Sequence, residues 1–188
     1  SMYAEIKVSA GNIFVADYNL NTIKQNEIPS LRRNLGIVFQ DFQLLSDRSI
    51  AENLEFVLRA TGWTKKNEIS DRINQVLESV YLSNFNDKMP HELSGGEKQR
   101  AAIARSLLNN PKVILADEPT GSLDPKKSEK IIGLLKEINE KGTTVVIATH
   151  DYEIIKKFNS RIIKCTNKKI QEISIDDLWK IFYQVTSV

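Results

Sequence analysis

PKVILADEPTGSLDPKKSEKIIGLLKEINEKGTTVVIATHD, residues 111–151, decides the architecture. Residues 113–116 form a short apolar run that stops at Asp117-Glu118, and residues 143–149 form a β-branched run that stops at His150. Both read as buried strands. Between them, Ile131, Leu134, Leu135 and Ile138 recur at helical spacing over 127–140, and Gly142 ends the pattern. Strand, helix and strand, with strands that do not alternate in polarity, predict a parallel sheet covered by helices on both faces. The fold class is α/β. Each strand ends on polar residues, at the edge where open parallel sheets bind ligands.

Upstream, LGIVF at 35–39 is a further buried-type strand, and it ends on Gln40. Residues 11–15 read as a short strand, and residues 27–33 as a short helix with Pro29 in its first turn. From 41 to 109 the pattern is helical. One helix covers 49–60 and stops at Gly62; the next covers 69–81, with Ile69, Ile73, Val76, Leu77 and Val80 on one face. A third lies in HELSGGEKQRAAIARSLL at 91–108, with Ala101, Ala104, Leu107 and Leu108 on one side and Asn109-Asn110-Pro111 as its stop. Downstream, Asp151 is placed to cap a helix, and 161–165 with 169–173 read as a hairpin. Ser174 and Asp177 have capping-box-like spacing ahead of a helix over 174–187. Its Trp179/Phe182 face packs on the core or binds a partner or membrane surface.

Bulk properties narrow the classes of function. The chain has 188 residues, 41% hydrophobic and 27% charged, enough for an α/β domain with a real core. Its net charge of +2 and its scattered basic pairs, such as Lys126-Lys127 and Lys156-Lys157, argue against a nucleic-acid-binding stripe. The single cysteine, Cys165, cannot form an internal disulfide and is read as a small packing residue. No apolar run approaches the length of a membrane span, so any membrane role runs through a partner.

Two features carry chemistry. Ser94 and Glu97 frame two glycines at the start of the third helix, a capping-box spacing. Exposed N–H groups and the helix dipole make such a terminus an anion site. The adjacent carboxylates of Asp117 and Glu118 can divide labour: one holds Mg²⁺, the other polarises an attacking water. Gln40 is by itself an ordinary loop residue, and His150 by itself a neighbour of a helix cap.

Taken together, LSGGEKQ at 93–99, VILADEPTGSLD at 113–124, GIVFQDFQLL at 36–45 and His150 resemble the ATPase domain of ABC systems, in order and in spacing, over essentially the whole chain. The resemblance implies a P-loop NTPase core of RecA-like type at 1–40 and 110–188, and a helical subdomain at 41–109. It implies ATP and Mg²⁺ as cofactors. Gln40 and Asp117 then correspond to the magnesium-binding glutamine and aspartate, Glu118 to the general base, and His150 to the switch histidine on the γ-phosphate. Ser94, Gly95, Gly96 and Gln99 correspond to the signature residues, and Asp124 to the residue that crosses the dimer interface. Members pair head to tail, so each signature helix closes on ATP held by the other copy. Residues 28–56 look most like the cell-division type, which pairs with the membrane protein FtsX; this implies a peripheral position on the cytoplasmic face of the cell membrane. Lipoprotein-release and macrolide-export types share DEPTGSLD and remain alternatives. A non-catalytic binding module and a DNA-repair type are further alternatives, the latter disfavoured by the short helical segment.

The sequence departs from the family in one respect: it contains no G-x-x-x-x-G-K-[ST]. By resemblance, that loop and an N-terminal β-subdomain lie upstream of Ser1, so the chain is read as truncated, with an unpaired sheet edge that favours association. Without the loop, about four charge-assisted hydrogen bonds of ~1.5 kcal/mol each are lost, near four decades of affinity. The 188-residue chain is therefore expected to show no saturable heat with Mg-ATP in calorimetry at sub-millimolar protein; tight saturable binding would refute this.

Overall fold

Three apolar segments pair side by side in the computed structural model, which describes residues 2–6, 8, 11–158, 160–166 and 169–177. They are β3 (Leu35–Val38), β4 (Val113–Asp117) and β5 (Thr144–Ala148), numbered after a small hairpin of β1 (Phe14–Val15) and β2 (Tyr18–Asn19). The order is β3-β4-β5, all parallel, with Leu35 opposite Val113 and Asp117 opposite Ala148. β4 is the central strand, and its Val113, Ile114 and Ala116 are buried. The outer strand β5 leaves Thr144, Val146 and Ala148 exposed.

The crossovers follow the expected periodicities. Between β4 and β5 runs α5 (Pro125–Glu140), with Ile131, Leu134, Leu135 and Ile138 buried as their spacing requires. Between β3 and β4 run α2 (Ile50–Ala60), α3 (Lys66–Ser79) and α4 (Gly95–Leu107), following the short α1 (Ile28–Arg33). Ser49 and Glu52 close a reciprocal capping box on α2, with bonds of 2.7 and 3.3 Å, and Gly62 beyond its end takes φ +99°. The α3 stripe Ile69, Ile73, Val76 and Leu77 is buried, as is Val80 just past its end.

Helix α4 departs from its one-sided expectation. Ala101, Ala102, Ile103, Ala104 and Leu108 all have zero exposure, because α4 packs on α2, α3, α5 and β3 together. Its carbonyls at Leu107 and Leu108, left open by the helix end, accept bonds of 2.5 and 2.9 Å from the Arg72 guanidinium. Gly36 makes the seating possible: a Cβ there would lie 2.6 Å from the Ser106 carbonyl oxygen.

Two further expectations change. The strand read at 11–15 narrows to two residues and gains an antiparallel partner across Ala16-Asp17, a turn without the Asn-Gly signal that announces hairpins. Cys165 is exposed rather than packed, since it lies in a two-stranded ribbon.

The chain divides into two compact units, Ser1–Thr149 and His150–Val188. The second contains α6 (Tyr152–Lys157), where Asp151 caps the Glu153 and Ile154 N–H groups, and the antiparallel pair β6 (Ile162–Thr166) and β7 (Lys169–Ile173). Ser174 accepts from the Asp177 N–H at 3.1 Å as a helical turn begins. The remainder of the helix expected over 174–187, with Trp179 and Phe182, lies outside the described residues.

Gly36→Ala should destabilise the chain by about 1–3 kcal/mol, because the backbone at Ser106 or β3 must shift to admit the methyl group. The urea midpoint measures this; an unchanged midpoint would contradict the close seating of α4.

Candidate functional site

The ends of β3 and β4 deliver Gln40 and Asp117-Glu118 to the C-terminal edge of the sheet. Gln40 and Asp117 are exposed, and Glu118 is half-buried. The Glu118 N–H donates to the Ala148 carbonyl at 2.9 Å, and its Oε2 accepts from the Thr149 hydroxyl at 3.1 Å. Glu118 pays for this placement with φ +43°, a left-handed conformation that costs a non-glycine residue roughly 1–3 kcal/mol. The end of β5 thus sets both the backbone and the carboxylate of Glu118. Thr149 escaped the sequence reading because its hydroxyl bonds across strands.

Residues 118–124 form a tight turn. The Gly121 N–H donates to the Glu118 carbonyl at 3.1 Å, and the Leu123 N–H to that of Thr120 at 3.0 Å. Gln40 lies against this turn. A Cβ on Gly121 would come within 2.8 Å of its Nε2, and the Ser122 hydroxyl reaches its carbonyl at 3.4 Å. Asp124 is the N-cap of α5: it accepts from the Lys127 N–H at 3.1 Å and pairs with Lys127 Nζ at 2.7 Å. The hydrogen bond from Lys127 is the main cause that holds its carboxyl below the ordinary range.

The start of α4 abuts the same turn. A Cβ on Gly95 would lie 3.1 Å from Leu123 Cδ2, and one on Gly96 would lie 3.4 Å from Lys127 Cδ. Two candidate elements that the chain separates by over twenty residues are therefore neighbours. Ser94 is exposed at the N-cap, and its N–H and hydroxyl both donate to Glu97 Oε2, at 2.7 and 2.6 Å. The capping box also pairs the Ser94 side chain with the N–H of Glu97, the third residue of α4; Gly96 is buried, and Gly95 and Glu97 are half-buried. Gln99 behaves differently from its neighbours. It has zero exposure and its amide has no partner, so as placed it offers no atom to a ligand. His150 is exposed and opens the second unit.

Among the described residues no three His, Cys, Asp or Glu gather into a metal cage. Mg²⁺ held by one or two protein ligands and phosphate oxygens needs none, and the exposed Asp117 carboxylate with the nearby Gln40 amide is a donor set of that kind. Below this edge a cavity of about 510 Å³ opens, with Arg32, Arg33 and Arg105 among apolar Leu45, Phe56 and Val57, and with no carboxylate in its lining.

The Ser94 hydroxyl, followed by its N–H, holds the Glu97 carboxyl below its ordinary 4.5. A folded value below the unfolded one adds stability that is present above the ordinary carboxylate range and is lost as pH falls through the lowered value. Glu97→Gln should therefore lower the urea midpoint near neutrality, and its deficit against the native chain should shrink as pH drops below 4.5. A deficit independent of pH would refute the contact.

Comparison with known proteins identifies the family. The family model for ABC transporter matches residues 1–121. The cell division ATP-binding protein FtsE of Streptococcus pneumoniae is 44% identical over 170 residues, 90% of this chain and 74% of the relative. FtsE of Bacillus subtilis is 46% identical over 162 residues, 86% and 71% of the two chains. The methionine import protein MetN of Geobacillus kaustophilus is 40% identical over 167 residues, covering 88% of this chain and 48% of its own. Among solved structures, the dimeric ATP-binding cassette MJ0796 bound to ADP and Pi superposes with a TM-score of 0.75 at 36% identity, over 92% of this chain and 77% of that one. The cbiO1 structure from Clostridium perfringens gives a TM-score of 0.84 at 30% identity, over 98% and 75%. An α/β sheet with its polar edge, the signature helix beside the 118–124 turn and these matches lead to one assignment: the chain belongs to the ABC transporter family of ATP-binding cassettes.

Proposed function

We propose that this chain is the ATP-hydrolysing subunit of a membrane complex of the cell-division type, acting as a pair of copies with an FtsX-like membrane partner. The observation that carries the catalytic reading is the gathering of Gln40, Asp117 and Glu118 at one sheet edge, with the start of α4 beside the turn that follows them. Identities of 44% and 46% to FtsE proteins, against 40% to MetN, favour the cell-division type over an importer subunit.

In this reading residues 1–40 and 110–188 form the ATPase core and 41–109 the helical subdomain. Gln40 and Asp117 hold Mg²⁺, which when bound neutralises charge on the phosphate oxygens. Glu118 orients and deprotonates the attacking water, steadied by Thr149 and the Ala148 carbonyl. His150 contacts the γ-phosphate. Ser94, Gly95 and Gly96 of one copy meet the phosphate held by the other, and Asp124 lies at the crossing between copies. The dimeric MJ0796 cassette bound to ADP and Pi supports the paired arrangement. None of the described helices is long and apolar enough to cross a membrane. Attachment to the cytoplasmic face therefore runs through the partner, and the arginine-rimmed cavity suits an amphipathic partner helix that carries a carboxylate.

The test is phosphate release by this chain joined at its N-terminus to a segment that carries a phosphate-binding loop. Glu118→Gln should lower turnover by about a hundredfold or more while nucleotide binding persists. Turnover equal to the native protein would remove Glu118 from the mechanism.

A further inference from the structure

Arg105 has no part in the catalytic assignments above beyond lining the cavity, yet its surroundings single it out. It stands in the third turn of α4, after a run of fully buried residues, and burial lowers its guanidinium below the ordinary arginine range. A desolvated cation needs acceptors. It donates from Nη2 to the Phe42 carbonyl at 3.0 Å and from Nη1 to the Gln43 carbonyl, 62 and more residues upstream.

Those two carbonyls belong to the most contorted segment near the site. Phe42 and Gln43 are consecutive non-glycine residues with φ +62° and +48°. The Gln43 N–H folds back onto the Asp41 carbonyl at 2.7 Å, a three-residue turn of the rare, strained hand. Neighbouring contacts hold the segment at both ends. At the far end, Asn53, buried at 2% exposure, accepts from the Leu45 N–H at 2.7 Å and donates to the Leu45 carbonyl at 3.0 Å. At the near end, Gln40 lies on Gly121 and its carbonyl accepts from Ser122. Between these anchors, the side-chain bonds to residues 42 and 43 come from Arg105.

We propose that Arg105 is a positioning residue: by gripping the Phe42 and Gln43 carbonyls it keeps the turn left-handed and so fixes where Gln40 stands against Gly121. The planar fork of arginine spans two adjacent carbonyls, which the single ammonium of lysine does not. The grip also ties the helix that begins at Ser94 to the loop that begins at Gln40, two elements placed on different parts of the site. Its consequence for nucleotide chemistry rests on the reading of Gln40 given above; the grip itself does not.

Amide exchange on the 188-residue chain, with no nucleotide present, tests the grip separately from that reading. Arg105→Ala should speed exchange at Gln43 and Leu45 by about tenfold or more, the factor for one charge-assisted hydrogen bond, while α5 amides stay unchanged. The side-chain amide resonance of Gln40 should shift at the same time. Adding Gln43→Gly to Arg105→Ala, which relieves the left-handed cost, should restore much of the protection and of the Gln40 resonance. Arg105→Lys should show the same localised pattern at smaller amplitude, and it carries the test where Arg105→Ala does not fold. Unchanged exchange at 43 and 45, or a uniform rise over the whole chain that Gln43→Gly does not reverse, would overturn the proposal.

Discussion

The rest of the molecule depends on how closely α4 sits on β3. At Gly36 the strand has no side chain, and the space a Cβ would need is filled by the Ser106 backbone and by Ile114. Only a helix of small residues can lie so near a sheet and still be enclosed by helices on its other sides, and Ala101, Ala102 and Ala104 supply them. The seating fixes both ends of α4. Its C-terminal carbonyls are closed by Arg72, and its N-terminus is set beside Leu123 and Lys127.

Some of the chain's conformational strain lies around this helix. Phe42, Gln43 and Glu118 all take left-handed backbone angles without being glycine, and all lie within a few residues of the sheet edge. Each is held by bonds from distant residues: Arg105 for the first two, Ala148 and Thr149 for the third. Strain of this kind persists only where surrounding structure over-determines it, and it is a feature of sites that must present side chains in fixed poses. Here it turns the chain sharply after β3 and after β4 rather than letting it continue along the strands, with Gln40 against Gly121 and the Glu118 carboxylate on Thr149.

The polar interior carries one unresolved tension. Gln99 is fully buried with an unpartnered amide, and Arg100 Nε is likewise buried without a partner. Their neighbours in sequence, Ser94 to Gly96, are at the start of the helix. The segment thus combines a capped helix start with an interior that is polar and unsatisfied, one turn apart on α4.

Local periodicity carried much of the fold. The runs read at 35–39, 113–116 and 143–149 became the parallel strands β3, β4 and β5, and the spacings of Ile69 to Leu77 and Ile131 to Ile138 became buried helix faces, because these signals depend only on near neighbours. The motifs likewise placed Gln40, Asp117 and Glu118 at strand ends, since strand ends follow from where apolar runs stop. What no local pattern contains is juxtaposition. The enclosure of α4 on every side, the burial of Gln99, the exposure of Cys165, the Thr149–Glu118 bond and the reach of Arg105 to Phe42 each depend on elements brought together from distant parts of the chain. By itself the sequence determined which segments are strands and helices and which residues stand at their ends. The tertiary structure alone decided which of those ends meet, because a contact exists only once loop closure has been offset by the burial of the surfaces it joins.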